Sequence, residues 1–344
     1  MTDVESLSAR SLEILDRLIA FDTTSRGSNL ALIEWVEAYL AGHGVASRRV
    51  ANAEGTKANL IATVGPDVAG GVVLSGHTDV VPVDGQPWTS EPFKLTDKGD
   101  GRLYGRGTCD MKGFIALALA AVPDLLAARP QRPAHLAFTY DEEVGCLGAP
   151  DLIRALVADF PRPRLVVVGE PTDMQAVSGH KGIATWTVTV TGREAHSSQT
   201  HLGASAIMVA VDLMTELKAL ADRLEREADP ASAFTPKHAT LTIGVIHGGT
   251  AGNILARECR FLFDLRTPPG MDPQGLLAAF FQSCAAADAT LKAAWGPGVG
   301  VHVHRRSMTP PLSPEPGGEA EAFARRLAGD NGPPRVVPYA AEAG

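Results

Sequence analysis

Four short segments combine histidine and carboxylate side chains at the ends of apolar, strand-like runs. They are SGHTDVVP (His77 and Asp79), GRGTCDMK (Asp110), YDEEVG (Glu142 and Glu143) and VGEPT (Glu170). Because open α/β sheets build their sites at the carboxyl edge, we expect these side chains to converge there. One imidazole and several carboxylates suit a hydrolytic zinc centre that holds two ions.

The first two segments each have a structural alternative. An isolated His-x-Asp is most often a satisfied loop histidine, but the strand before His77 and the acidic segments after it favour a zinc ligand. Asp79 would then hold the second ring nitrogen and fix the tautomer. Asp110 lies just ahead of a predicted helix, so that it could equally cap the helix or bridge two metal ions.

The last two segments carry the sharper signal. Asp141, Glu142 and Glu143 close an apolar strand, and three adjacent carboxylates repel one another unless a cation neutralises them. On a solvated loop they would carry no chemistry; at a metal site one can ligate while its neighbour takes a proton from water. Glu170 ends a strand that is apolar on both faces, which predicts a ligand or, alternatively, an ion pair with Arg or Lys.

Taken together, the segments predict metal-assisted amide hydrolysis. The sequence contains no GxSxG elbow, which disfavours serine chemistry, and no P-loop lysine pattern, which disfavours nucleotide binding.

Composition excludes several other classes of protein. The 344 residues suffice for two domains, and the net charge of −8 without a long basic run makes nucleic acid and anionic membranes poor partners. No apolar run is long enough to span a bilayer, and the N-terminal stretch lacks the pattern of a signal peptide. Four cysteines without CxxC spacing indicate free thiols, so we expect a cytoplasmic protein.

Apolar periodicity predicts that the first half of the chain is a doubly wound α/β sheet. The predicted helices cover 6–21, 29–43, 112–128 and 149–158, and the predicted strands cover 59–65, 71–77, 135–141 and 164–170.

Near Gly179 the order of the predicted elements changes to β-α-β-β-α-β, which is typical of a ferredoxin-like domain. The predicted strands are 184–192, 239–249, 256–266 and 299–305, and the predicted helices are 203–227 and 272–287. A helix over 319–327 and a strand over 335–339 are predicted to return to the first domain. We therefore predict a catalytic domain formed by 1–178 and 307–344, with 179–306 inserted as a lid or dimerisation domain.

Seven segments, HTDVVP, GRGTCDMKG, DEEVG, GEPT, GREAHSS, GGTAGNIL and FDLR, occur in an order that resembles the dinuclear-zinc aminoacylase and carboxypeptidase family. The resemblance runs from about residue 10 to the end of the sequence. It implies a zinc-binding catalytic domain with an inserted lid, a homodimer, and two Zn²⁺ per subunit that Co²⁺ can replace.

Position by position, the resemblance also implies roles for individual residues. His77 and Glu170 would bind one ion, Glu143 would bind the other, and Asp110 would bind both. Asp79 would orient His77, and Glu142 would be the general base. The peptide bond between Asp110 and Met111 would be cis. From the lid, His196 would contact the substrate carbonyl, often across the dimer, and Asn253 and Arg266 would bind the substrate.

The expected substrate is a small N-acylated amino acid. We expect removal of the acetyl group from N2-acetyl-L-ornithine, a step of arginine biosynthesis. The alternatives are succinyl-diaminopimelate desuccinylation, dipeptide hydrolysis, aminoacylase activity and a non-catalytic homologue. In the family, a tail beyond the EAG segment supplies a second histidine ligand; this sequence ends at Gly344, and its last histidine is His304. We therefore expect either a fragment or a metal site that lacks one ligand.

Overall fold

The computed structural model describes residues 3–344 and separates them into two compact units. Unit 1 comprises residues 3–176, 315–333 and 341–343, and unit 2 comprises 177–314, 334–340 and 344. The elements in chain order are α1 (Asp3–Ile19), α2 (Leu30–Gly42), β1 (Ser47–Ala51), β2 (Ala58–Val64), β3 (Val72–His77), β4 (Thr96–Asp97), β5 (Leu103–Tyr104), α3 (Lys112–Ala120), α4 (Val122–Ala128), β6 (Ala134–Thr139), α5 (Ala149–Asp159), β7 (Leu165–Val168), β8 (Val177–His180), β9 (Gly182–Thr191), α6 (Ala206–Arg226), β10 (Thr240–Gly248), β11 (Glu258–Thr267), α7 (Pro273–Trp295), β12 (Gly300–Thr309), α8 (Glu319–Ala328) and β13 (Arg335–Val337).

Unit 1 is built on a five-stranded sheet of order β1-β2-β6-β3-β7. Strands β6, β3 and β7 are parallel, whereas β1 and β2 are antiparallel to their neighbours. Alternate residues of β2 enter different cores: Leu60 joins the cluster formed with α1 to α4, while Ile61 packs with Leu152 of α5. Helices therefore cover both faces of the sheet, and the predicted doubly wound α/β class is confirmed.

Two helices differ from their predicted bounds by more than a few residues. The helix predicted over 112–128 is divided into α3 and α4, because Pro123 in the first turn of α4 has no N–H to continue the hydrogen-bond ladder. Helix α7 begins as predicted, with Asp272 accepting hydrogen bonds from the N–H of Gln274 and Gly275, but it continues to Trp295. Among the described residues, no helix is both long enough and apolar enough to cross a bilayer.

Unit 2 contains a four-stranded antiparallel sheet of order β10-β11-β9-β12 with helices α6 and α7. Its core is aromatic: Trp186 stacks on Phe263, which meets Phe280 edge to face. The order β9-α6-β10-β11-α7-β12 is the predicted ferredoxin-like one.

The segment near the C-terminus follows a different course from the predicted one. Strand β13 pairs in parallel with β8, with Val336 beside Gly179 and Val337 beside His180. The predicted return of 335–339 to the first domain is thus not observed, because the backbone of this segment completes a two-stranded sheet within unit 2.

A buried histidine gives unit 1 a predicted pH dependence of stability. His135 of β6 is 1% exposed, and its Nδ1 lies 2.9 Å from Thr63 Oγ1, while Nε2 has no partner among the described residues. Burial lowers the pKa of His135 below its usual value. Below pH about 6.5 the unfolded chain therefore binds a proton that the native state resists, and the free energy of unfolding falls as pH decreases.

We expect His135→Leu to flatten the dependence of the unfolding free energy on pH between about 7 and 5. Urea titrations at several pH values measure it, with His247→Leu, at an exposed position of β10, as the control for losing a histidine. If the unfolding free energy of His135→Leu depends on pH as steeply as that of the parent protein, His135 does not contribute to the pH dependence of stability. His180, whose pKa is also lowered by burial, contributes with the same sign and remains in both variants.

Candidate metal centre

The histidine and carboxylate side chains predicted as metal ligands meet where three parallel strands of unit 1 end. Strand β3 ends at His77, which lies beside Thr139 at the end of β6, and Ser75 lies beside Val168 at the end of β7. The chain leaves β7 through Gly169, where a Cβ would lie 2.0 Å from the Phe114 ring, so only glycine lets this strand end pack there. The strand ends therefore deliver the predicted segments to one edge of the sheet.

Two overlapping groups of side chains have the geometry of metal ligands. One contains His77, Glu142 and Glu170, and the other contains His77, Asp110 and Glu143; within each group the ligand atoms all lie within 4.8 Å of one another. His77 Nε2 is 2.9 Å from Asp110 Oδ1. An imidazole nitrogen with carboxylate oxygens is a donor set that zinc accepts, so these residues fit a metal site.

His77 is buried, and its ring is oriented by the backbone. Its Nδ1 lies 2.9 Å from the main-chain oxygen of Asp79, which assigns the hydrogen to Nδ1 and leaves Nε2 available as a ligand atom. The Asp79 carboxylate lies farther away, with Oδ1 3.6 Å from Nδ1. The main-chain oxygen therefore makes the closer contact that the sequence analysis assigned to the Asp79 carboxylate.

The Asp79 carboxylate instead supports the loop after β6. It accepts hydrogen bonds from the backbone N–H of Glu142 (3.0 Å) and of Glu143 (3.3 Å), and from Ser25 Oγ (2.7 Å). Asp79 is 1% exposed, and loss of its carboxylate would leave the partly buried N–H groups of Glu142 and Glu143 without this partner. Asp79 thus positions the loop that carries Glu142 as well as facing His77.

The electrostatics also fit a cation. Burial, together with Glu170, raises the pKa of Glu142 to about 8. Burial and Asp110 raise the pKa values of Glu143 and Glu170 to about 7. Burial alone would lower the pKa of His77, but the hydrogen bonds that its ring donates to the carboxylates of Asp110 and Asp79 outweigh burial and raise this pKa to about 12. The site is therefore a pocket of negative potential that favours positive charge, which divalent metal ions supply.

Of two further features at this edge of the sheet, one was expected from the sequence and the other was not. The peptide bond Asp110–Met111 is cis, as the family resemblance implied. Glu342 was not singled out, although its carboxylate accepts hydrogen bonds from Ser75 Oγ (2.6 Å) and Thr139 Oγ1 (2.7 Å). Its only sequence signal was the EAG segment in which it lies.

The three predicted substrate-binding residues lie in unit 2, in two separate places. His196 forms a bridge with Ile254, and Ser197 N donates to the main-chain oxygen of Asn253 at 2.9 Å, so His196 and Asn253 are neighbours. Arg266 lies near the far end of β11, where its Nε donates to Asp264 Oδ2 at 2.9 Å. Arg266 lies about 27 Å along β11 from Glu258, at 3.4 Å per residue, and Glu258 is the end of the strand that follows Asn253 in the chain.

Residues 73–341 match the sequence family described as Peptidase family M20/M25/M40. The chain belongs to this family. The acidic and histidine segments around the metal centre lie inside the matched region, and the resemblance seen in the sequence is confirmed.

Named relatives of this M20/M25/M40 member agree with the assignment. The chain is 41% identical to an acetylornithine deacetylase of Myxococcus xanthus over 265 residues, which cover 76% of this chain and 67% of the relative. It is 37% identical to an acetylornithine deacetylase of Proteus mirabilis (strain HI4320) over 273 residues, which cover 78% and 68%.

Solved structures show the same fold. An M20 family metallo-carboxypeptidase from Sulfolobus solfataricus superposes with a TM-score of 0.72 at 17% identity, covering 97% of this chain and 86% of that one. The protein is thus an M20-family hydrolase with the α/β fold of the family.

Proposed function

We propose that the protein is a zinc-dependent amide hydrolase that converts N2-acetyl-L-ornithine into L-ornithine and acetate, as in arginine biosynthesis in the cytoplasm. The observation that carries the proposal is the meeting of His77, Glu142 and Glu170 with Asp110 and Glu143 at one sheet edge. The choice of substrate is supported by the two relatives named acetylornithine deacetylase. Their names favour this reaction over the desuccinylase, dipeptidase, aminoacylase and non-catalytic alternatives.

In this proposal each ligand has a defined role. His77 and Glu170 would hold one Zn²⁺, Glu143 would hold the other, and Asp110 would be a ligand shared by both; Co²⁺ would be able to replace either ion. Asp110 lies in the group with His77 and Glu143, and its charge also raises the pKa of Glu170 in the other group. Bound zinc would supply a Lewis acid that acidifies water and polarises the amide carbonyl.

Glu142 would act as the general base. Its carboxylate takes a proton from the water whose oxygen bonds to the acetyl carbonyl carbon, and it then gives that proton to the α-nitrogen as the C–N bond breaks. Acetate and the free α-amine of ornithine are the products. The position of Glu142 beside His77 and Glu170, on a loop held by Asp79, suits this proton transfer.

Arg266 would bind the substrate α-carboxylate with its guanidinium, and His196 and Asn253 would contact the acyl part. A small N-acylated amino acid is far shorter than the roughly 27 Å of β11 that lie between Arg266 and Glu258, the end of the strand that follows Asn253 in the chain. We therefore propose a homodimer in which His196 and Asn253 serve the site of the partner. Strand β10 is an edge of the unit 2 sheet with Val245 and Ile246 half exposed, which suits an interface between copies.

Mixing two inactive variants tests this arrangement. In a hybrid of His196→Ala and Glu142→Gln protomers, one site would contain an intact Glu142 and the intact partner His196. After subunit exchange we expect the mixture to regain about a quarter of parental activity, since half of the dimers are hybrids with one working site each. If His196 instead serves its own chain, every hybrid site lacks one group and activity stays absent. Each variant mixed with itself is the control.

The proposed reaction is tested by reconstituting the protein with Zn²⁺ or Co²⁺ and measuring acetate release from N2-acetyl-L-ornithine. We expect turnover that a chelator abolishes and added metal restores, with kcat/KM highest for this substrate among N2-acetyl-L-ornithine, N-succinyl-L,L-diaminopimelate and an unmodified dipeptide. Faster hydrolysis of one of the other two compounds would identify that compound as the better substrate. Absence of turnover on all three would overturn the proposed hydrolysis.

A further inference from the structure

Lys57 connects two loops of the metal centre from outside it. It immediately precedes β2, and its Nζ donates hydrogen bonds to the carboxylate of Asp141 and to the main-chain oxygen of Ser25. The two side chains of the ion pair are 15% and 12% exposed. Solvent therefore screens this pair less than an ordinary surface salt bridge.

These contacts close a ring of interactions around the loop that bears Glu142. Ser25 Oγ donates to Asp79, and Asp79 accepts the N–H groups of Glu142 and Glu143, the two residues that follow Asp141. We name the four side chains Lys57, Asp141, Ser25 and Asp79 the loop clamp. Every contact of the loop clamp lies within unit 1.

The backbone of this loop needs external support. Asp141 has φ +56°, in the left-handed region that residues with a Cβ rarely adopt. A conformation of this kind persists when the surrounding contacts determine it. Asp79 holds the backbone on one side of the turn, and Lys57 holds the side chain of the left-handed residue itself.

We propose that Lys57 is a positioning residue for Glu142. By fixing Asp141 and the Ser25 segment together, it holds the turn in the conformation that places Glu142 beside His77 and Glu170. Lys57 does not touch the reacting groups; it acts through Asp141. The catalytic part of this inference rests on the proposed hydrolysis, whereas the mechanical part concerns the loop alone.

Lys57→Met keeps the length of the side chain and removes its charge and donors. We expect kcat to fall about 10²-fold with KM nearly unchanged, because displacement of a catalytic group by about 1 Å costs that much. Lys57→Arg, which restores a donor, is expected to recover part of the loss. Because Lys57 acts through Asp141, the double variant Lys57→Met/Asp141→Asn should be no slower than the slower single variant.

Arg48→Met is the matched control, since it removes a cation that pairs with Asp159 near the same sheet but away from the site. It should leave kcat unchanged. An equal fall of kcat in this control, or an additive effect in the double variant, would overturn the positioning role.

A second measurement does not depend on activity. Hydrogen exchange of the Glu142 and Glu143 amides, measured in the metal-free protein, should be about tenfold faster in Lys57→Met than in the parent or in Arg48→Met, since it reports local opening of the turn. Faster exchange in a protein without turnover would support the loop clamp and reject the proposed hydrolysis. Unchanged exchange would reject the positioning role of Lys57, whether or not the parent protein is active.

Discussion

Replacement of Glu142 by glutamine is expected to lower kcat for N2-acetyl-L-ornithine by about 10²–10⁴-fold, the usual contribution of a general base. The amide is nearly isosteric with the carboxylate but cannot take a proton from water. The Asp79 carboxylate still accepts the N–H groups at residues 142 and 143, because these bonds involve only the backbone of the loop. The loop should therefore keep its conformation.

Metal content distinguishes this role from the alternative that the geometry also permits. Glu142 lies in one of the two candidate ligand groups, so it could bind an ion directly. We expect the metal content of Glu142→Gln to equal that of the parent, measured by elemental analysis after equilibration with Zn²⁺, with exposed Glu91→Gln as control. A loss of about one ion per subunit, in parallel with activity, would make Glu142 a ligand and reject its role as base.

The part of the site that could be predicted from the sequence is the part delivered by strand ends. Short apolar runs located β3, β6 and β7, and parallel strands bring their carboxyl ends to one edge. The sequence therefore predicted that His77 and Glu170 are neighbours, although they lie 93 positions apart in the chain. Strand β1 was missed, because its sequence SRRVA is polar and its residues are largely exposed.

The residues that support the site could not be predicted in this way. Lys57 belongs to no acidic segment, and its pairing with Asp141 depends on the antiparallel register of β2 and β6, which periodicity does not determine. Glu342 reaches Ser75 across 267 positions. A lone lysine or glutamate carries no local signal, so these contacts emerge only from the folded chain.

The unit 2 residues illustrate a different limit. His196, Asn253 and Arg266 were named only through the family resemblance, since their spacing and composition resemble those of any polar strand or loop. The structure adds that His196 and Asn253 are neighbours and that Arg266 lies at the end of β11 opposite to Glu258, the end that follows Asn253 in the chain. That separation gives the proposed dimer a physical reason, which neither the sequence pattern nor the resemblance supplied.

The second large effect is expected for Asp110→Asn. If the Asp110 carboxylate touches both ions, the amide weakens both sites, and metal content should fall from about two ions per subunit to below one. Loss of several kcal/mol of transition-state stabilisation would reduce kcat/KM by about 10³-fold or more. The side chain is half exposed, so the replacement should change the global stability little.

Single-site variants make this prediction specific. Glu170→Gln and Glu143→Gln each remove a ligand from only one of the two groups, so each should lose about one ion and retain the other. Exposed Asp84→Asn, which breaks a pair with Arg26, is the control for a lost carboxylate. If Asp110→Asn lost the same single ion as Glu143→Gln, Asp110 would serve one site only. The effect of its charge on Glu170 would then be purely electrostatic.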